Sequence, residues 1–231
     1  MPNYDHVFFD LDRTLWDFER NSLETIHDLY HEFELAHKNV PSFDEFIGVY
    51  RVVNHDLWAR YRVGKVTKDE LRQLRFHKAL QYFHIDDEKM ALKFNDRYVE
   101  TCSVKPHLLP DALTTLEYLN ERYHLHIITN GFKEAQFVKL KNSGIEQFFK
   151  EVIISELYGK AKPHQDIFMH AFDRSGAVAK NSIMIGDDFE ADIVGAQQVG
   201  MDSVYLADFP KKSIVKPTYH IKGLIELKGI L

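Results

Sequence analysis

A single cysteine, Cys102, stands in 231 residues. One thiol can close no internal disulfide and builds no zinc site, so stability must come from a packed core, and the reducing cytoplasm is the expected location. Positive charge is also short: 29 lysines and arginines face 35 aspartates and glutamates, a formal net charge of -6. A whole-protein basic field for a nucleic-acid polymer is therefore missing, and an anionic ligand would need a local cation or a metal. No apolar run approaches the ~20 residues that span a bilayer. The opening Met1-Pro2-Asn3-Tyr4-Asp5-His6 lacks a basic stretch leading into an apolar one, so neither a membrane span nor a secretory signal is expected. Repeats and low-complexity tracts are absent too. What is present is 45% apolar and 28% charged residues, enough for one core and a small accessory lobe.

The texture changes along the chain. Residues 6–11, His-Val-Phe-Phe-Asp-Leu, are a short β-prone run. Residues 22–102 then read as about four helices without a strand. Leu23, Ile26, Tyr30 and Phe33 recur at helical spacing, and Ser42 with Glu45, Thr67 with Glu70, and Asp86 supply N-caps. From Lys105-Pro106 onward, helical segments near 111–122, 133–143, 165–175 and 190–199 alternate with apolar runs at 124–129, 151–155, 182–186 and 202–206. Gly144, Gly176 and Gly200 sit where helix C-caps belong. Strand-helix alternation with runs polar only at their ends means a parallel sheet covered on both faces. The first strand must join that sheet, because a lone buried strand has nothing to pair with. The helical block is then an insertion after strand one, expected as a cap over the sheet's C-terminal edge: residues 1–15 plus 105–231 form the α/β core and 16–104 the helical cap.

Ligands of open parallel sheets bind beyond the carboxyl ends of the strands. The first strand ends Phe9-Asp10-Leu11-Asp12-Arg13-Thr14, where a carboxylate is a nucleophile, a metal ligand or a helix cap. The second ends Ile128-Thr129-Asn130-Gly131 just before a helix, a hydroxyl with backbone N–H groups that suits an anion or an ordinary cap. The third segment ends Gly159-Lys160-Ala161-Lys162-Pro163; either lysine balances carboxylates and binds a phosphate oxygen, or lies solvated on the surface. The fourth ends Gly186-Asp187-Asp188-Phe189-Glu190-Ala191-Asp192, an acid cluster that is costly unless a cation neutralises it. Taken together these strand ends favour a hard cation with oxygen ligands, Mg²⁺ first among them because it shares phosphate oxygens and keeps waters.

Asp10-x-Asp12-x-Thr14, then Thr129, then Lys162 before a proline, then Gly186-Asp187 with Asp192 following, resembles the ordered motif set of the haloacid dehalogenase (HAD) superfamily over essentially the whole chain. Ile128-Thr129-Asn130-Gly131-Phe132, Ile154-Ser155-Glu156 and Ala161-Lys162-Pro163 are similar to its pyrimidine 5′-nucleotidase branch; Arg13 stands where that motif often has glycine, with little mechanistic effect expected. The resemblance implies a Rossmann-like HAD fold with an α-helical cap, and a Mg²⁺-dependent phosphohydrolase acting on a small phosphorylated metabolite, a nucleoside monophosphate in that branch, as a monomer or homodimer. Asp10 would attack phosphorus and Asp12 would act as general acid and base. Mg²⁺ would bind Asp10, the Asp12 backbone carbonyl and Asp187. Thr129, the Asn130 N–H and Lys162 would hold the phosphoryl oxygens. Asp192 and Asp188 would orient metal-bound water or Lys162.

An acid at Asp12 argues against the halide-releasing members, since halide departs without a proton. Sugar-phosphate hydrolysis or mutation stays open, because it needs the same residues with a different cap. A phosphoacceptor signalling domain is a rival of another class, but it orders its acids and hydroxyl differently and has no helical insertion. In the cap, Trp58 and Tyr61 could stack on a base, and Lys65, Arg72 and Arg75 could meet an anion; a core stripe and a solvated face are the alternatives. Trp16 and Phe18 could line an entrance or pack, and His107 and His164 read as bland.

Overall fold

The computed structural model describes residues 4–231; the first three, read above as the start of the core domain and of a segment without a leader, lie outside the described residues. The chain divides into two compact units, Met1–Phe18 with Lys105–Leu231, and Glu19–Val104. Among the described residues, no helix is long and apolar enough to cross a membrane.

The first unit is built on a six-stranded parallel sheet of order β3-β2-β1-β4-β5-β6, from β1 (His6–Phe9), β2 (His124–Thr129), β3 (Phe149–Ile154), β4 (Ser182–Gly186), β5 (Asp202–Leu206) and β6 (Tyr219–Ile221). β1 and β4 are buried at every position, which is why they read as unbroken apolar runs rather than alternating ones. Phe8, Ile128, Ile153, Phe168, Phe172 and Met184 pack one face of the sheet, each large side chain contributing roughly 1.5–3 kcal/mol by leaving water. The second unit holds α1 (Phe18–Glu32, its first residue still in the first unit), α2 (Phe43–Arg62), α3 (Lys68–Gln81) and α4 (Glu88–Cys102). Around the sheet lie α5 (Ala112–Asn120), α6 (Lys133–Asn142), α7 (Ser155–Tyr158), α8 (Gln165–Ser175) and α9 (Gly195–Gln198), the last entered through a π-helical turn, Phe189–Val194.

The expected strands at 124–129, 182–186 and 202–206 coincide with β2, β4 and β5. The first strand stops at Phe9 rather than Leu11, leaving Asp10 just past the strand end. β3 starts at Phe149, earlier than read, and β6 was not anticipated. Ser42 and Thr67 cap α2 and α3, Thr67 in a reciprocal capping box with Glu70. The cap of α4 is Asp87, whose carboxylate accepts from the Met90 N–H, and not Asp86, which instead accepts from His77 and Gln81. Either aspartate suits a cap by type; the neighbouring helix decides. Gly144, Gly176 and Gly200 all take left-handed φ at helix ends.

β2 carries an unusual core residue. His126 is buried between Phe8 and His6, stacked on both, and shares a 3.1 Å contact with the His6 ring nitrogen while its own Nδ1 has no partner. Burial, with the neighbouring His6 and His124, lowers its pKa from 6.5 to about 3. The folded protein therefore refuses a proton that the unfolded chain accepts below about 6.5, so stability falls as pH drops through that window. His126→Leu is expected to flatten the loss of melting temperature between about pH 6.5 and pH 4, measured by thermal denaturation; an unchanged pH slope would contradict the assignment.

Candidate active site

The polar residues that matter sit where strands end. Asp10 follows β1 and is tied by its backbone N–H to the Ile185 carbonyl of β4 at 2.9 Å, which places its carboxylate at the middle of the sheet edge. It is only 8% exposed. Lys162, after α7 on the loop leading to α8, is 1% exposed and divides its ammonium between Asp10 Oδ1 at 2.7 Å and Asp192 Oδ1 at 2.6 Å. Its neighbour in sequence, Lys160, is exposed, so burial separates the two lysines that sequence left in competition.

Asp192 is fully buried, and both its oxygens are engaged, Oδ1 by Lys162 and Oδ2 by the Asp188 N–H at 3.0 Å. This close approach requires glycine at 186, where any Cβ would collide with the Asp192 carboxylate. Asp188 accepts from the Glu190 and Ala191 N–H groups and so caps the π-helical turn. Asp187 accepts from the Thr14 hydroxyl at 3.2 Å.

One ammonium cannot balance three clustered carboxylates, Asp10 and Asp192 buried and Asp187 half-buried. Burial raises Asp10 and Asp192, and the pull of Lys162 does not cancel it. Burial pushes Lys162 down, yet Asp10 and Asp192 outweigh that and the net direction is up. Asp187 rises to about 7, through burial first and the charge of Asp10 second, while Arg13 pulls it back. Arg13 adopts a left-handed φ of 67° and lays its guanidinium over the Phe18 ring at 4.3 Å.

One oxygen each of Asp10, Asp187 and Asp192 lies within 4.8 Å of the others. An all-oxygen donor set with more negative charge than Lys162 can balance fits a hard divalent cation. Asp192 is the member already committed to protein donors.

Thr129, at the end of β2, is 1% exposed; its hydroxyl accepts from the Gly131 N–H at 3.1 Å and contacts Gln136 at 3.4 Å. Asn130 does something sequence did not suggest. Its side chain clamps the lysine loop, donating to the Lys162 carbonyl at 2.9 Å and accepting from the Lys162 N–H at 2.8 Å. Asp12 is gripped by two residues that sequence reading missed, Gln136 and Lys139 of α6. The buried residues of α6 are Gln136, Lys139 and Leu140 while Phe137 is exposed, a pattern that residue type does not signal.

Trp16 is fully buried and donates from Nε1 to the Lys105 carbonyl, so it packs; His164 caps α8, and His107 offers its carbonyl to the Asp17 N–H. In the helical unit, Trp58 meets Tyr61 edge-on at 5.6 Å and Lys65 is exposed. Arg72 pairs with Asp96 at 3.3 Å. Arg75 is no solvated surface cation: it is 5% exposed, donates to Asn95 at 2.7 Å and lies over the Tyr98 ring.

Residues 4–200 match the family model of haloacid dehalogenase-like hydrolases. The chain is 29% identical to the pyrimidine 5′-nucleotidase YjjG of Escherichia coli (strain K12), over 99% of this chain and 98% of that protein. It is 32% identical to a ribulose-1,5-bisphosphate 5-phosphatase of Halopiger xanaduensis, over 86% of this chain and 82% of the relative. The crystal structure of YfnB from Bacillus subtilis, solved bound to magnesium, superposes with a TM-score of 0.89 at 29% identity, covering 99% of both chains. Strand order, the polar strand ends and these likenesses agree: the chain belongs to the haloacid dehalogenase-like hydrolases.

Proposed function

We propose that this protein is a Mg²⁺-dependent phosphomonoester hydrolase that uses Asp10 as nucleophile and acts on a nucleoside 5′-monophosphate, a pyrimidine one first. The observation that carries the reading is the buried Asp10, fixed by backbone to β4 and held by Lys162 opposite Asp187. In-line attack by Asp10 on phosphorus forms the acyl phosphate as the bond to the leaving oxygen breaks. Asp12 supplies that oxygen with a proton, then takes one from the water that attacks the phosphorus of the acyl phosphate and restores Asp10. Lys162, Thr129 and the Asn130 N–H stabilise the phosphoryl oxygens. Mg²⁺ would be held by Asp10, Asp187 and the Asp12 backbone carbonyl, and when bound it supplies the positive charge that lets an anionic nucleophile approach an anionic phosphate. Asp192 positions Lys162, and Asp188 shapes the turn that carries Asp192. The helical unit Glu19–Val104, within the expected 16–104, is proposed as the cap that shields the reaction from water, with Trp58, Tyr61, Lys65, Arg72 and Arg75 its candidates for meeting the substrate.

The substrate class rests on the full-length likeness to a pyrimidine 5′-nucleotidase. A sugar-phosphate substrate is the second reading, favoured by the likeness to a ribulose bisphosphate phosphatase. The cytoplasm remains the proposed location, in keeping with Cys102 buried as a thiol.

Phosphate release from a panel of nucleoside monophosphates and sugar phosphates should require Mg²⁺, stop with EDTA, and be fastest on pyrimidine nucleotides; faster release from sugar phosphates would move the substrate class and keep the chemistry. Asp10→Asn should lower kcat by at least ~10³-fold with the melting temperature retained, and near-normal turnover would overturn the nucleophile assignment. Mg²⁺ must displace the proton that Asp187 holds below about pH 7. Saturating Mg²⁺ should therefore raise the melting temperature by roughly 5 °C or more above that pH and by less below it. In Asp187→Asn, that rise should shrink and lose its pH dependence.

A further inference from the structure

We infer that Lys139 and Gln136 of α6 are the positioning residues of the general acid/base Asp12, together selecting which of its oxygens exchanges a proton with the substrate; this rests on the hydrolase reading above. Lys139 Nζ donates to Asp12 Oδ1 at 2.6 Å, and Gln136 Nε2 donates to Asp12 Oδ2 at 3.2 Å. The donors are 6% and 1% exposed, in a helix where a lysine would ordinarily reach water. The ammonium has a second support, the face of the fully buried Trp16, 4.4 Å from its centroid. Trp16 is itself pinned by its bond to the Lys105 carbonyl.

The grip extends to the phosphate-facing strand end. Gln136 Oε1 accepts from the Thr129 hydroxyl, which accepts in turn from the Gly131 N–H. A Cβ at residue 131 would collide with the Gln136 amide, so glycine there lets Gln136 reach Asp12. A residue of the first strand end is thus locked to the second by a chain of side-chain bonds, all within the α/β unit.

The two bonds are unequal. A short charge-assisted bond commits Oδ1 to Lys139. The longer amide contact leaves Oδ2 the oxygen that carries the transferable proton. As the phosphorus–oxygen bond of the ester breaks, its electron pair goes to the leaving oxygen, which takes the proton from Oδ2; Lys139 keeps its own protons throughout. A lysine that merely stabilised the fold would slow all substrates alike. A lysine that aims Asp12 matters most where the leaving oxygen is strongly basic.

The test compares kcat/KM, which reads the ester-cleaving step, for an alkyl phosphate (a nucleoside 5′-monophosphate) and an aryl phosphate (p-nitrophenyl phosphate) in Lys139→Met, Lys139→Arg and Gln136→Met, with Asp12→Asn alongside. Lys139→Met keeps an unbranched side chain of similar length and removes the ammonium that meets Asp12 and Trp16. It should lose ~10²-fold on the alkyl ester and under ~10-fold on the aryl ester. Lys139→Arg should recover most of the alkyl activity, and Gln136→Met should show the same bias more weakly. Equal losses on both esters, or none, in folded Lys139→Met and Gln136→Met would overturn the inference. If Asp12→Asn is biased towards the aryl ester while both α6 variants are not, Asp12 keeps its role and only the positioning fails. If Asp12→Asn itself shows no bias, the acid/base reading fails and the inference with it.

Discussion

A single ammonium shared among buried acids is the constraint around which the sheet edge is organised. Lys162 binds Asp10 and Asp192 with Asp187 close by, and all three acids are driven towards protonation by burial. Removing the one cation from such a buried group costs about 3–5 kcal/mol, because the acids are left without the charge that partners them. The surrounding structure pays this through specific devices: glycine at 186, the Asn130 clamp on the Lys162 backbone, and the Asp188 cap. The uncompensated charge is also what suits these three carboxylates to a hard divalent cation.

Asp12 belongs to a second network. It faces α6 rather than Lys162, and its two side-chain donors tie it to Thr129 and Trp16. The proposed nucleophile and the proposed acid/base, two residues apart in sequence, are thereby set by different parts of the fold. That separation lets one carboxylate be held for attack and the other for proton transfer.

The fold was legible where physics is local. β2 and β4 are mostly buried runs that close at Thr129 and Gly186, and β5 opens at Asp202 just after Gly200, so their limits could be read to the residue. β6 could not: it is three residues on the sheet edge, two half-buried and Ile221 buried, stabilised by pairing with β5 rather than by its own composition. The convergence of Asp10, Lys162, Asp187 and Asp192 followed from parallel topology, because every parallel strand delivers its last residue to the same edge. Lys139, Gln136 and Arg75 were illegible for the opposite reason. A lysine or arginine on a helix is ordinarily solvated, and only tertiary packing reveals that these are buried against an aspartate, an asparagine and aromatic rings. The Asn130 clamp is equally long-range, spanning 32 residues of sequence.

In the proposed mechanism phosphorus is transferred to Asp10 before it reaches water. The most direct measurement is a rapid acid quench of the enzyme turning over a ³²P-labelled nucleoside monophosphate, followed by borohydride reduction and mass spectrometry of the peptide containing residue 10. Transfer through Asp10 would leave label on the protein during turnover and reduction at Asp10 alone, both lost in Asp10→Asn. Turnover at full rate with no labelled protein, or with the label on another residue, would contradict it.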